Sequence, residues 1–283
     1  MWHVFCSAQR DGSRWQKTST HILETLKMHR LLMGTAAGLT AAILSTASIQ
    51  AAEPLIDAKS FPGEFSANVS LVSEYYFRGV SQTDDAPAAQ GGFDWSATVD
   101  EGTGIGIYLG VWGSNVDFNE AGGVDGATIE IDYYGGLTGS IGDTGLGWDI
   151  GFIYYTYPGA ASSLDYDFWE GQVALSYDFG IASATASLNY SPENFGKSGD
   201  AFYPKLGVEA PIGKYLTLSA HVAKQYIQDN TTFGLPDYVE YGIGATVNLA
   251  GFDVNLTWSD TDMSDTECGD ACGMFLLSVS RSF

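Results

Sequence analysis

Apolar and polar side chains alternate along most of the chain from residue 65 onward. Phe93, Trp95, Ala97 and Val99 alternate with Asp94, Ser96, Thr98 and Asp100, which in an extended backbone places every apolar group on one face and every polar group on the other. Phe252, Val254, Leu256 and Trp258 do the same against Asp253, Asn255, Thr257 and Ser259, and Val239 to Leu249 repeats the pattern. With weaker examples included, the pattern predicts twelve strands, over 65–78, 91–100, 105–114, 127–138, 145–156, 168–178, 181–190, 201–210, 214–226, 237–249, 251–260 and 273–283.

The connections alternate in length. Short turns follow the even-numbered strands, reading EGTG, GSIGDTG, FG, PIGK and AG, and longer loops follow the odd-numbered ones. An even strand number with alternating turns and loops is the pattern of outer-membrane barrels, whose periplasmic turns are short and extracellular loops long. The expected fold is therefore all-β, a transmembrane antiparallel up-and-down β-barrel of about twelve strands over residues 65–283, preceded by a short segment at 53–64. Alternation alone also fits a soluble sandwich. What separates the two is the loop asymmetry, an export signal, and aromatic residues at strand ends, where interfacial girdles belong. That set comprises Phe65, Tyr75, Phe77, Phe93, Trp148, Trp169, Tyr177, Phe179, Phe252, Trp258 and Phe283. Arg281 shares the outward parity of Phe283, and two residues from the strand end it can snorkel to the headgroups.

The export signal lies in residues 28–52, MHRLLMGTAAGLTAAILSTASIQAA, with a basic start, an apolar stretch and small residues at the end. Residues 1–27 are either an extended leader or sequence upstream of a true start at Met28. No later stretch is apolar enough for a membrane helix, so any membrane crossing must be made by strands.

Composition narrows the partners. Of 283 residues 34 are Asp or Glu and 12 are Lys or Arg, for a net charge of -22. Nucleic acid is excluded, because a polyphosphate needs a basic footprint. With 13% aromatic and 45% hydrophobic residues the chain can bury far more than a disordered acidic tail could.

The segments SEYYFRGVSQTDDAPAAQGGFDW, GIYLGVWGSNVDF, EIDYYGG, YYTYPG and NYSPENF, in this order, resemble the TorF family of proteobacterial porins. The resemblance runs from about Ser66 to Phe283 and implies an outer-membrane barrel with a channel role.

Strand parity puts Glu74, Arg78, Asp94, Glu130, Asp132, Asp149, Glu170, Gln172, Lys205, Glu209, His221 and Glu240 on the lumen side. So many carboxylates in a narrow passage would favour cations and repel anions. The expected function is passive diffusion of small solutes or ions through a weakly cation-preferring pore, with no cofactor, no metal and no catalytic residue. The competing possibility is a plugged barrel in which these acids pair with Arg78, Lys205 and tyrosine hydroxyls. Tyr108, Trp112 and Tyr155 would narrow the passage, whereas Gly110, Gly151, Gly207, Gly242 and Gly244 would remove bulk or sit beneath a neighbouring ring. A structural or adhesive barrel, and an outer-membrane hydrolase built on His221 and Ser219, are the alternatives. The hydrolase fails on geometry, since both residues face the lumen and lipid lies outside.

Cys268 and Cys272 are expected to form a disulfide, as an exported protein meets an oxidising compartment. The acidic loops are either solvated or bind Ca²⁺ through hard oxygen ligands. Expected partners are outer-membrane lipid, lipopolysaccharide and the barrel-assembly machinery, the last through the C-terminal Phe283.

Overall fold

The computed structural model describes residues 62–100, 103–118, 126–268 and 273–283. The leader and signal segments lie outside these residues. The strands are β1 (Glu64–Val72), β2 (Tyr76–Phe77), β3 (Val80–Ser81), β4 (Ala88–Asp100), β5 (Ile105–Asn115), β6 (Ile129–Ser140), β7 (Leu146–Thr156), β8 (Phe168–Asp178), β9 (Ser183–Ser191), β10 (Ala201–Ile212), β11 (Leu216–Ile227), β12 (Tyr238–Leu249), β13 (Phe252–Thr261) and β14 (Met274–Ser282). Two single-turn helices, α1 (Asn230–Phe233) and α2 (Asp265–Cys268), lie in loops. All strands except β2 and β3 pair antiparallel with their chain neighbours, and β1 pairs with β14, so twelve strands close a barrel without an edge.

Closure runs from Asn68 opposite Ser282 to Val72 opposite Ser278, and Ala67 and Phe283 exchange both backbone hydrogen bonds beyond it. β1 starts and β14 ends at the short-turn end. The tightest turn, between β12 and β13, consists of Ala250 and Gly251 at φ 55° and 84°. Two successive positive φ values match the right-handed twist of a hairpin, which is why so short a connection works there.

The wall sorts side chains as the alternation predicts. Along β7, Ile150, Phe152 and Tyr154 are exposed on the outside while Asp149, Ile153 and Tyr155 are buried within. Along β8, Trp169, Val173, Leu175 and Tyr177 point out while Phe168, Glu170, Gln172 and Ala174 point in. The outer face is a continuous apolar band, with Leu71, Leu109, Leu206, Ile243 and Leu256 among its exposed members. A water-soluble barrel would not leave so large an apolar surface uncovered.

Three cations lie over rings near the ends of this band. The Arg281 guanidinium is 5.2 Å from the rings of both Phe252 and Phe283, and the Lys214 and Lys224 ammoniums are each 4.6 Å from the rings of Tyr215 and Tyr226. Each cation is thereby held beside the aromatic belt, where long basic side chains reach headgroups. Arg281 faces outward as the parity predicted.

The expected first strand, 65–78, is too long. β1 ends at Val72, and the chain then leaves the wall and folds into the lumen as the small hairpin β2–β3 before β4 begins. The apolar run Tyr75 to Phe77 reads as strand, but its rings pack inward rather than onto lipid. Tyr75 is 4% exposed and packs edge-on against Trp112 at 5.5 Å, and Phe77 packs against Tyr155 at 5.7 Å. Tyr75 and Phe77 are therefore removed from the outer girdle, and Glu74 and Arg78 are loop residues rather than strand residues.

Candidate functional site

The inward hairpin turns at Arg78 and Gly79, both at positive φ (52° and 78°). This turn projects the Arg78 side chain across the lumen. Its Nη2 donates to Glu170 Oε2 on β8 at 2.5 Å and its Nη1 donates to Gln225 Oε1 on β11 at 2.9 Å. The guanidinium also lies 4.2 Å from the ring of Tyr203 on β10 and 4.7 Å from that of Phe77, and Tyr238 on β12 donates its hydroxyl to the Arg78 carbonyl at 3.0 Å. One loop residue is thus tied to four wall strands. Glu170 additionally accepts from Asn189 Nδ2 at 3.2 Å.

The other predicted lumen acids are held mainly by tyrosine hydroxyls, which donate to them. Tyr134 donates to Asp94, Tyr108 to Asp149 at 3.0 Å, Tyr75 to Glu130 at 3.1 Å and Tyr203 to Glu240 at 2.5 Å. In the first two pairs the ring crosses a whole strand to reach its acid. Asp94 on β4 pairs in register with Gly110 on β5, which pairs with Tyr134 on β6. A Cβ at Gly110 would lie 2.3 Å from the Tyr134 ring, and one at Gly136 would lie 2.6 Å from the Tyr108 hydroxyl. Glycine on the intervening strand clears the surface over which the ring lies. On the acids' own strands, a Cβ at Gly151 would lie 2.6 Å from the Tyr108 hydroxyl and one at Gly242 2.7 Å from the His221 ring, whereas Gly244 faces the hydroxyls of Ser219 and Thr257 and Gly207 has no ring above it.

Glu240 also meets His221, with Nε2 and Oε1 2.8 Å apart. Ser219 and His221 both face the lumen, and the imidazole is engaged with Glu240. Glu130 and Asp132 are 1% and 2% exposed, and one oxygen of Asp132 has no hydrogen-bond partner among the described residues. Gln172 accepts from Asn189 at 3.5 Å. Lys205 stands in the row of β10 that leads through Ala223 on β11 to Glu240 on β12. Glu209 is exposed towards the short-turn end and joins none of these groups. Cys268 takes part in a disulfide, and Cys272 lies outside the described residues.

Two cavities flank the hairpin. One, of about 220 Å³, lies within the barrel and is lined by Lys205, His221, Glu240, Asn255, Thr257 and Gln90 together with the inner face of the hairpin. The other, of about 290 Å³, lies among the long loops and is lined largely by aromatic rings. Phe77 and Arg78 line both, so these two side chains form the septum between mouth and lumen.

The sequence reading missed the rings that build the mouth. Phe118, Tyr157, Tyr166 and Phe195 come from three different loops and meet at centroid distances of 4.3 to 5.8 Å. The available signal was the density of aromatic residues in segments too rich in Asp, Asn, Pro and Gly to be strands.

Solved structures of similar architecture include the KdgM porin in complex with oligogalacturonate, at 8% identity and a TM-score of 0.47 over 77% of this chain and 99% of that one. The NanC porin gives 8% and 0.47 over 77% and 98%, and an outer-membrane channel from Pseudomonas putida F1 gives 8% and 0.45 over 78% and 96%. No curated protein matches the chain in sequence. The model of one family does match, over residues 57–280, which runs from before β1 into β14 and includes the septum and both cavities, and the chain belongs to that family, the Gcw_chp bacterial proteins of unknown function.

Proposed function

We propose that this protein is a porin-like channel of the outer membrane, of the kind the TorF resemblance implies, through which small solutes diffuse passively with a weak preference for cations. The observation that carries the reading is the opposition of the two wall faces. The outside is an apolar band with cations at its rims, and the inside is lined by carboxylates, amides and hydroxyls around a cavity of about 220 Å³. A closed barrel satisfies its backbone without an edge and so can expose such a band to hydrocarbon.

The cation preference rests on charge. Tyrosine hydroxyls hydrogen-bond the lumen acids without neutralising them, and Arg78 compensates only Glu170 directly. Asp94, Asp149 and Glu209 remain to attract cations on the short-turn side of the septum. The channel is narrow, because twelve strands enclose less than a general porin does and the hairpin takes part of that space. The outer band would contact lipid and lipopolysaccharide, the disulfide at Cys268 would brace the last loop with Cys272 as its partner, and Phe283, exposed at the end of β14, would be read by the assembly machinery.

Planar-bilayer recording of the refolded mature chain tests this. Discrete ohmic steps, with a reversal potential in a KCl gradient that favours K⁺, are expected. Preference for Cl⁻ would overturn the lumen assignment, and a folded barrel that never conducts would favour a closed structural barrel.

A further inference from the structure

We infer that the mouth cavity is a capture site for a single-ring aromatic solute that is neutral or cationic. The inference rests on the channel reading above and names the solute class that its entrance selects.

The first argument is the lining. Phe77, Phe118, Tyr166, Phe195, Phe233 and Leu235 are each only partly buried, and they converge on one concavity of about 290 Å³ from the hairpin and four loops. Loop aromatics that served only as packing would be covered by one another. Tyr157, at 6% exposure, is. The five partly covered rings and Leu235 instead line a space the size of one small ligand, and barrel mouths are a recurrent place for such sites. Rings favour partners that stack or meet edge-to-face at 4.5–7 Å.

The second argument is the state of the polar groups. Gln82 donates its amide hydrogens to the carbonyls of Val80 and Ser81, Asn194 donates to Ser198, Gln225 accepts from Arg78, and Arg78 is held by Glu170. The amide hydrogens of Gln82 and Asn194, the Gln225 carbonyl oxygen and the guanidinium are thus engaged in holding the site together. A sugar, with a hydroxyl on nearly every carbon, would find few donors left for it. The ionised groups lining the cavity besides Arg78 are Asp84 and Asp117. Acceptors of negative charge disfavour a carboxylate or phosphate ligand and favour a hydroxyl or ammonium donor. Asp84 is exposed and stands in the left-handed region at φ 46°, a conformation Asn adopts equally well.

Ligand-observed NMR on the full mature chain in lipid nanodiscs, with empty nanodiscs subtracted, tests the inference. The probes are phenol, benzylamine, benzoate, cyclohexylamine and maltose. Phenol and benzylamine are expected to bind, cyclohexylamine at least several-fold more weakly than benzylamine, and benzoate and maltose not at all. Phe233→Ala, which removes one wall of the cavity, should weaken both binders. Asp84→Asn should weaken benzylamine about two- to fivefold, as expected for an exposed charge pair, and leave phenol unchanged. Binding of maltose or benzoate in preference to phenol, equal binding of cyclohexylamine and benzylamine, or affinities indifferent to Phe233→Ala would overturn the assignment. The readout needs no current. A silent barrel that binds rings would sink only the channel reading, and a conducting barrel that ignores them would sink only this one.

Discussion

Arg78 and Glu170 meet at 2.5 Å although 92 residues separate them, with side chains 8% and 1% exposed. Their bond pins the tip of an inward hairpin to the far wall and holds the Arg78 side chain between the two cavities, where it narrows the passage. Removing one partner of a buried pair leaves the other charge uncompensated, a loss of about 3–5 kcal/mol. Arg78→Ala should therefore lower the stability of the folded barrel while raising its unitary conductance. Arg78→Lys, which offers a point charge rather than a fork for Glu170 and Gln225 together, should fall between. Single-channel recordings read alongside urea unfolding midpoints check both arms.

The two faces of β13 should respond oppositely to the same substitution. Leu256→Arg puts a cation in the middle of the apolar band and should cost about 2–4 kcal/mol on folding into liposomes. Asn255→Arg points into the lumen. It should fold nearly as well as the parent and move the reversal potential toward chloride. Equal penalties at both positions would argue against hydrocarbon outside the wall.

Glycine at 136 is required by space. A Cβ there would lie 2.6 Å from the Ile150 carbonyl oxygen, a backbone atom that cannot swing away, and 2.6 Å from the Tyr108 hydroxyl that donates to Asp149. Gly136→Ala should destabilise by about 1–3 kcal/mol, the usual cost of overpacking. Gly171→Ala is the control, since nothing lies within 4 Å of its added methyl. Heat-induced mobility shifts of the two variants on gels give the comparison.

The loop between β11 and β12 carries a pH dependence that can be followed residue by residue. Asp229 caps α1, accepting from the backbone of Thr231 and Thr232 at 3.1 and 3.0 Å and from the Thr232 hydroxyl at 2.7 Å. These bonds, the Thr232 hydroxyl foremost, hold its carboxyl below the ordinary value. A lowered value means that the cap is fully present above the ordinary aspartate range and is lost as pH falls through the depressed one. Amide protection factors at Thr231 and Thr232 should hold down through the usual carboxylate range and drop only below it, and Asp229→Ala should remove them at every pH.

The wall was legible in the sequence because period-two alternation is a local signal. Each strand states its own inside and outside, and the length of each connection states which end it belongs to. The hairpin was not legible, because Tyr75 and Phe77 share one parity whether their rings meet lipid or lumen. The turn that reverses the chain at Arg78 and Gly79 shows in sequence only as one glycine. The tyrosine-to-acid pairs were hidden for another reason. Tyr134, Gly110 and Asp94 form one row only once the register of three strands is fixed, and register is set by pairing rather than by any one segment. Glu130, Asp149 and Glu240 are buried within the wall, and strand parity is the only sequence signal that bears on which face they take.

Reciprocal bonds between Ala67 and Phe283 complete the cylinder. The earliest and latest strands must find each other across more than two hundred intervening positions. Until they do, the sheet has two bare margins, each able to recruit a stranger. Such a molecule has no half-built state that is safe in water, because every partial sheet keeps two open edges until its first and last strands meet.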